Sequence, residues 1–103
     1  MSGVNKKNVG QPCYFFLLFV AGDEPNSTLA QTNLSLICNK HLAGRFNIEI
    51  VDVIEDFSTA IDYGVIVTPT LILMKPEPRV TIFGNLNDAK KVLAALRLKE
   101  ETL

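Results

Sequence analysis

An unbroken apolar run from Cys13 to Ala21, with Tyr14-Phe15-Phe16-Leu17-Leu18-Phe19-Val20 at its centre, constrains this chain more than any other feature. A strand with no polar positions has no face to give to water, so it must be covered on both sides, as an inner strand of an α/β sheet is. The run is far shorter than the ~20 residues that a bilayer-spanning helix needs. Lys6-Lys7 before it and Ala21-Gly22 after it imitate a signal peptide. Cleavage there would delete the strand on which everything else must pack. The run is therefore read as a central strand, the expected location as cytoplasmic, and a membrane is not an expected partner.

The rest of the pattern alternates around that strand. Gly22-Asp23-Glu24-Pro25-Asn26-Ser27 turns the chain into a helix, with Asn26 or Ser27 as the side chain that accepts from a free N–H of the first turn. Ala30, Leu34, Ile37, Cys38 and His41 share one stripe at helical spacing, which carries the helix to about Leu42, where Gly44 ends it. Phe46 to Val53 begins in strict alternation and reads as a strand. A helix separates it from the first strand, so the two should pair in parallel through a right-handed crossover. Asp56 to about Tyr63 reads as a short helix with Phe57, Ala60 and Ile61 on one side, closed by Gly64. Thr70 to Met74 is another apolar strand, Pro76 and Pro78 break the chain, and Val80 to Phe83 is a short strand antiparallel to it. Gly84-Asn85 turns, and Asn87 or Asp88 caps a last helix that faces Val92, Leu93, Leu96 and Leu98 inward. The expectation is a single α/β domain of order βαβαββα over residues 13–98, with a flexible leader at 1–12 and a short tail at 99–103.

Length and charge narrow the function classes. A chain of 103 residues holds one core and not two, and 48% hydrophobic with 20% charged residues describes a globular chain rather than a disordered one. A net charge of −1 leaves no basic excess to displace counterions, so nucleic acid is not an expected partner. Gly22 stands without the further glycines of a phosphate-binding loop, and no cofactor is expected.

Thiol chemistry fares no better. Dithiol exchange needs a low-pKa thiolate, usually at a helix N-terminus, and a resolving thiol nearby. Cys13 precedes the first strand, and Cys38 lies near the far end of the first helix, where the dipole disfavours a thiolate. Both are read as reduced, buried thiols packing as small hydrophobes. His41, the only histidine, reads as a helix-end residue, and with Cys38 it makes two metal ligands without a third. Asp52, Glu55, Asp56 and Asp62 gather after the second strand and read as a solvated face rather than a Mg²⁺ site. No catalytic, metal-binding or cofactor-binding residue is expected.

Particular segments carry a family resemblance. Val67-Thr68-Pro69-Thr70-Leu71 resembles the segment where thioredoxin-superfamily proteins carry a cis-proline before an inner strand, an ordinary trans proline being the other reading. At the strand–helix junction where thioredoxins place Cys-x-x-Cys, neither cysteine is present. More specifically, four stretches together resemble the KaiB family, in its order and spacing, over about residues 14–97. They are Leu18 to Gly22 with Pro25-Asn26-Ser27; Val51-Asp52-Val53; Thr68-Pro69-Thr70-Leu71; and Gly84-Asn85-Leu86-Asn87 followed by Lys91-Val92-Leu93.

The resemblance implies a thioredoxin-like, non-enzymatic regulator that binds a KaiC-type hexameric ATPase in clock-like or stress signalling. Its candidate interaction residues are Gly22, Pro25, Asn26, Ser27, Thr68, Pro69, Gly84, Asn85 and Asn87. It also implies a homo-oligomer, dimer or tetramer, and an alternative ground-state fold with a rearranged C-terminal half. In that alternative the segment near Leu71–Phe83 becomes largely helical and that near Asp88–Leu98 a strand. Local preference sides with the thioredoxin-like state, because Thr70-Leu71-Ile72-Leu73 favours extended structure and Ala89 to Leu96 is rich in helix formers. Asn85 stands where the family often has Asp, and Arg79 is alone in a stretch where clock members carry more basic residues. The alternative functions are a thioredoxin-like redox or stress-response protein without Cys-x-x-Cys, and a purely structural oligomeric module.

Overall fold

The apolar run becomes β1 (Tyr14–Val20) in a computed structural model that describes residues 12–98. The other elements are α1 (Pro25–His41), β2 (Phe46–Asp52), α2 (Phe57–Asp62), β3 (Thr70–Lys75), β4 (Val80–Phe83) and α3 (Ala89–Ala95). This is the expected βαβαββα order. Except for Pro12, the expected leader at 1–12 lies outside the described residues, as does the tail at 99–103.

The four strands form one sheet in the order β2-β1-β3-β4. β1 pairs with β2 in parallel, as a crossover through α1 requires, and with β3 antiparallel; β3 and β4 are antiparallel. β1 is thus an inner strand, and its pleat explains why every position had to be apolar. Tyr14, Phe16, Leu18 and Val20 pack on one face with Ala30, Leu34, Ile37 and Cys38 of α1, and with Val92, Leu93 and Leu96 from the α3 region. Leu17 and Phe19 point the other way, to Val51, Ile72 and Ala60 of α2. Phe16, Leu18 and Phe19 are wholly inaccessible, and each such side chain contributes about 1.5–3 kcal/mol by leaving water.

Two local expectations need correction, the α1 cap and the burial of Cys13. Glu24, not Asn26 or Ser27, caps α1: its carboxylate accepts from the Asn26 and Ser27 N–H groups, and Pro25 takes the first helical position, where no N–H is needed. Of the three residues read on one side of α2, Ala60 is buried, while Phe57 and Ile61 stay 67% and 59% exposed. The helix meets the sheet through that one small side chain, and its two larger neighbours flank the contact. Cys13 is exposed rather than buried, because it precedes the first paired residue of β1; Cys38 is buried as expected. At the last helix, Asp88 rather than Asn87 is the cap, accepting from the Lys91 N–H.

Candidate functional site

Parallel pairing of β1 with β2, followed by two antiparallel steps, brings four loops to one end of the sheet. They are the β1–α1, β2–α2, α2–β3 and β4–α3 connections. Val51, Phe19, Thr70 and Phe83 sit side by side in register across the four strands just beneath that end. Every candidate interaction residue read from the sequence lies in or beside these loops: Gly22, Pro25, Asn26 and Ser27 after β1, Thr68 and Pro69 before β3, and Gly84, Asn85 and Asn87 after β4.

Hydrogen bonds join three of the loops into one surface and tie in β2–α2. The Gly84 N–H donates to the Pro69 carbonyl at 3.0 Å, linking the loop after β4 to the one before β3. Asn85 then reaches α1: its Nδ2 donates to Asn26 Oδ1 at 3.2 Å, and its carbonyl accepts from Asn33 Nδ2 at 2.9 Å. The same side chain accepts from the Asn87 N–H at 3.1 Å, shaping its own loop. Ser27, fully buried, accepts from the Ala21 N–H and donates to the Glu24 carboxylate, which folds the β1–α1 turn onto the helix start. Asp52 ties β2–α2 to β1–α1, since its Oδ1 accepts from both the Gly22 and Ile54 N–H groups. Thr70, also buried, donates to the Val67 carbonyl and fixes the approach to β3. The Thr68–Pro69 bond is cis, as are Lys75–Pro76 and Glu77–Pro78. Gly84 has φ +99°, a conformation that costs an L side chain strain even though space is open where its Cβ would be.

Electrostatically the end is set by carboxylates with structural duties. The N–H of Asn26, with further bonds from Ser27, holds Glu24 below the usual carboxylate range. The Thr59 hydroxyl and N–H do the same for Asp56, which caps α2. The acids read as a solvated face therefore also serve as caps and turn ties. Among the described residues no three His, Cys, Asp or Glu side chains are grouped to hold a metal, and no helix is long and apolar enough to cross a membrane.

The sequence reading missed the apolar side chains on this end. Ile66 is 92% exposed and, with Val67, Gly64 and Phe83, lines a shallow groove of about 320 Å³. A second, more polar cleft of about 290 Å³ shares Phe83 and runs along Gly84, Asn85 and Asn87 to Lys91. Ile54, also exposed, lies over Gly22, its Cδ1 3.5 Å from where a Cβ would stand. The available signal was the apolar pair Ile66-Val67 just before Pro69, outside any helix or strand, with Phe83 at the last position of β4 beside Gly84. Such a concentration marks an interaction surface more often than a scattered exposed leucine does.

The thiols are elsewhere. Burial pushes the Cys38 thiol up to about 12, and it sits inside the α1 core. Cys13 is at the opposite end of β1, beside the start of β2. His41 is half-buried at the end of α1, where its carbonyl accepts from Arg45.

A sheet of this order with helices on both faces, and loops rather than cysteines at the β1–α1 junction, defines a thioredoxin-like domain lacking the thioredoxin dithiol. The N-terminal domain of SasA from Synechococcus elongatus superposes with TM-score 0.69 at 22% identity, over 100% of both chains. Mitochondrial thioredoxin 3 from Saccharomyces cerevisiae superposes with TM-score 0.66 at 19% identity, over 89% of this chain and 85% of that one. The KaiB domain model matches residues 17–98, and the chain belongs to the KaiB family. It is 36% identical to the circadian clock protein KaiB3 of Synechocystis sp. over 86 residues, 84% of each chain. To the circadian clock oscillator protein KaiB of Gloeothece citriformis it is 34% identical over 91 residues, 88% of this chain and 86% of that one.

Proposed function

We propose that this protein is a non-enzymatic KaiB-type regulator that docks on a KaiC-type hexameric ATPase through the loop end of its sheet. The observation that carries this reading is the pairing of a hydrogen-bonded loop scaffold with exposed apolar side chains at the same end. Ile54, Ile66, Val67 and Phe83 stand over loops tied together by Asn85, Gly84 and Asp52. Pre-organised loops lower the ordering cost of association, and burying a side chain such as Ile66 supplies about 1.5–3 kcal/mol. Membership of the KaiB family and clock-named relatives support a role in clock-like signalling, with stress signalling as its variant. Gly22, Pro25, Asn26, Ser27, Thr68, Pro69, Gly84, Asn85 and Asn87 act in this reading as the scaffold, and the apolar side chains as the contact. Thiol exchange draws no support, since the buried Cys38 thiol resists ionisation and Cys13 lies at the far end of β1.

Ile66→Asp tests the proposal. The side chain is almost wholly in water, so stability should change by less than about 0.5 kcal/mol. Affinity for a KaiC-type hexamer with ATP, read by biolayer interferometry, should fall at least about tenfold, the equivalent of one lost 1.4 kcal/mol contact. Unchanged affinity with an intact fold would move the contact to another surface.

A further inference from the structure

We propose that the flank of α1 bearing Leu29 and Leu36 is a second docking surface, one that takes an acidic amphipathic helix of another protein. The buried stripe of α1, with Ala30, Leu34, Ile37 and Cys38, faces the sheet. Leu29 and Leu36 fall outside that stripe and stay 48% and 64% exposed. With Asn26, Asn33 and Lys40 they recur in alternating steps of three and four residues. That is the spacing of a coiled-coil seam, with leucine at one repeating position and a polar residue at the other. Thr28, Thr32, Ser35 and Asn39 on the remaining outward surface are polar, so the exposed apolar area of α1 is confined to this one flank.

Two hydrogen bonds show where the flank points. Asn26 Oδ1 accepts from the Asn85 amide at 3.2 Å, and Asn33 Nδ2 donates to the Asn85 carbonyl at 2.9 Å. The seam therefore looks toward the loop that leads into α3, and Leu36 and Lys40 continue it on the next two turns, both exposed. α3 packs on the same face of the sheet. Lys91 lines the cleft beside Ile82 of the marginal strand β4, so helical periodicity turns Lys90 and Ala94 to the flank nearer α1. Neither α1 nor α3 contains an Asp or Glu, and Asp88, which caps α3, accepts from the Lys91 N–H. A helix laid along the seam thus meets two leucines about 10 Å apart, with Lys40 and Lys90 beside them. Charge selects the occupant: Lys40 and Lys90 repel a basic helix, and the α1 of a second copy offers them no carboxylate. None of the apolar side chains at the loop end takes part, so the inference stands apart from docking on an ATPase.

The test titrates two fluorescein-labelled helical peptides with the full chain and reads fluorescence anisotropy. Both peptides carry leucines at the seam spacing, one flanked by Glu and the other by Lys. The Glu peptide should bind with a Kd between about 1 μM and 1 mM, as a short single-helix contact does, and the Lys peptide at least about tenfold more weakly. Leu36→Glu should weaken the Glu peptide at least about tenfold, and Lys40→Glu should narrow or reverse the preference between the two peptides. Both side chains are exposed, and circular dichroism melts check that each variant folds. Ile66→Asp should leave both titrations unchanged, which separates this surface from the loop end. A Glu peptide that fails to bind up to about 1 mM would overturn the proposal. So would equal affinity for the two peptides, or a Leu36→Glu variant that binds as the parent does. A chain that dimerises by sedimentation and loses the dimer with Leu36→Glu would overturn it too, by making a second copy the occupant.

Discussion

Asn85 is the side chain on which the loop scaffold turns, and truncating it isolates the scaffold's worth. Asn85→Ala removes the bond to Asn26 Oδ1 at 3.2 Å and the one accepted from the Asn87 N–H at 3.1 Å. The bond from Asn33 Nδ2 survives, because it is made to the backbone carbonyl. Both lost bonds are exposed, so each counts at the lower part of the usual 0.5–1.5 kcal/mol, for a total of about 1–2 kcal/mol. In a domain of this size about 1 kcal/mol lowers Tm by roughly 4–8 °C. Asn85→Asp is the informative companion. It keeps an acceptor for the Asn87 N–H, and rotation of the Asn26 amide turns an Nδ2 donor toward the new carboxylate. Its cost should stay below about 0.5 kcal/mol, within the range of ordinary surface changes. Urea titrations and thermal melts of the three proteins read both numbers. An alanine variant as stable as the parent would refute the claim that Asn85 joins the loops, and so would an aspartate variant as weak as the alanine one.

Three further outcomes follow from the same geometry. Burial raises the Cys38 thiol from 9.0 to about 12, so the folded chain holds a proton that the unfolded chain releases. This contribution is whole below pH 9.0 and drains as pH rises toward 12, at about 1.4 kcal/mol per pH unit. Cys38→Ala should remove that part of the alkaline slope in urea midpoints, and parallel slopes would contradict it. Glu24 and Asp56 are held below the usual carboxylate range by the N–H and hydroxyl groups they cap. Their contribution is therefore present above the unfolded-state values and lost as pH falls through the folded ones. Glu24→Gln and Asp56→Asn should each flatten the acid limb of stability; limbs identical to the parent's would show the caps to be idle. Leu34→Ala, which opens the contact between α1 and β1, should cost about 2–5 kcal/mol in a urea titration. A loss below 1 kcal/mol would mean that the site collapses around the gap.

Most of the fold was legible because β1 leaves so little freedom. Seven consecutive apolar residues can be satisfied only by cover on both faces, and the alternating helices and strands around them supply that cover. Helix ends were less legible. Asn26 and Ser27 have good capping side chains, but Pro25 suits the first helical position so well that the cap moves back to Glu24. The buried face of α2 was not legible, because a six-residue helix leaves periodicity too little length to separate Ala60 from Phe57 and Ile61. The scaffold residues were found as motifs, yet what joins them was invisible. The bonds from Asn85 to Asn26 and from Gly84 to Pro69 connect positions far apart in the chain, and only the folded register brings them together. The exposed Ile66 and Val67 escaped notice for the opposite reason: in a linear reading an apolar pair beside a strand looks like core.

The central claim is that the loop end of this sheet is a docking surface for an ATPase ring and not a thiol active site. Size-exclusion chromatography with light scattering tests it directly, on the chain with a KaiC-type hexamer and ATP. The account predicts co-elution with the hexamer, undiminished when Cys13 and Cys38 are both replaced by alanine. Separate elution from a hexamer shown to hydrolyse ATP would contradict it, as would binding that vanishes with the thiols while the variant remains folded.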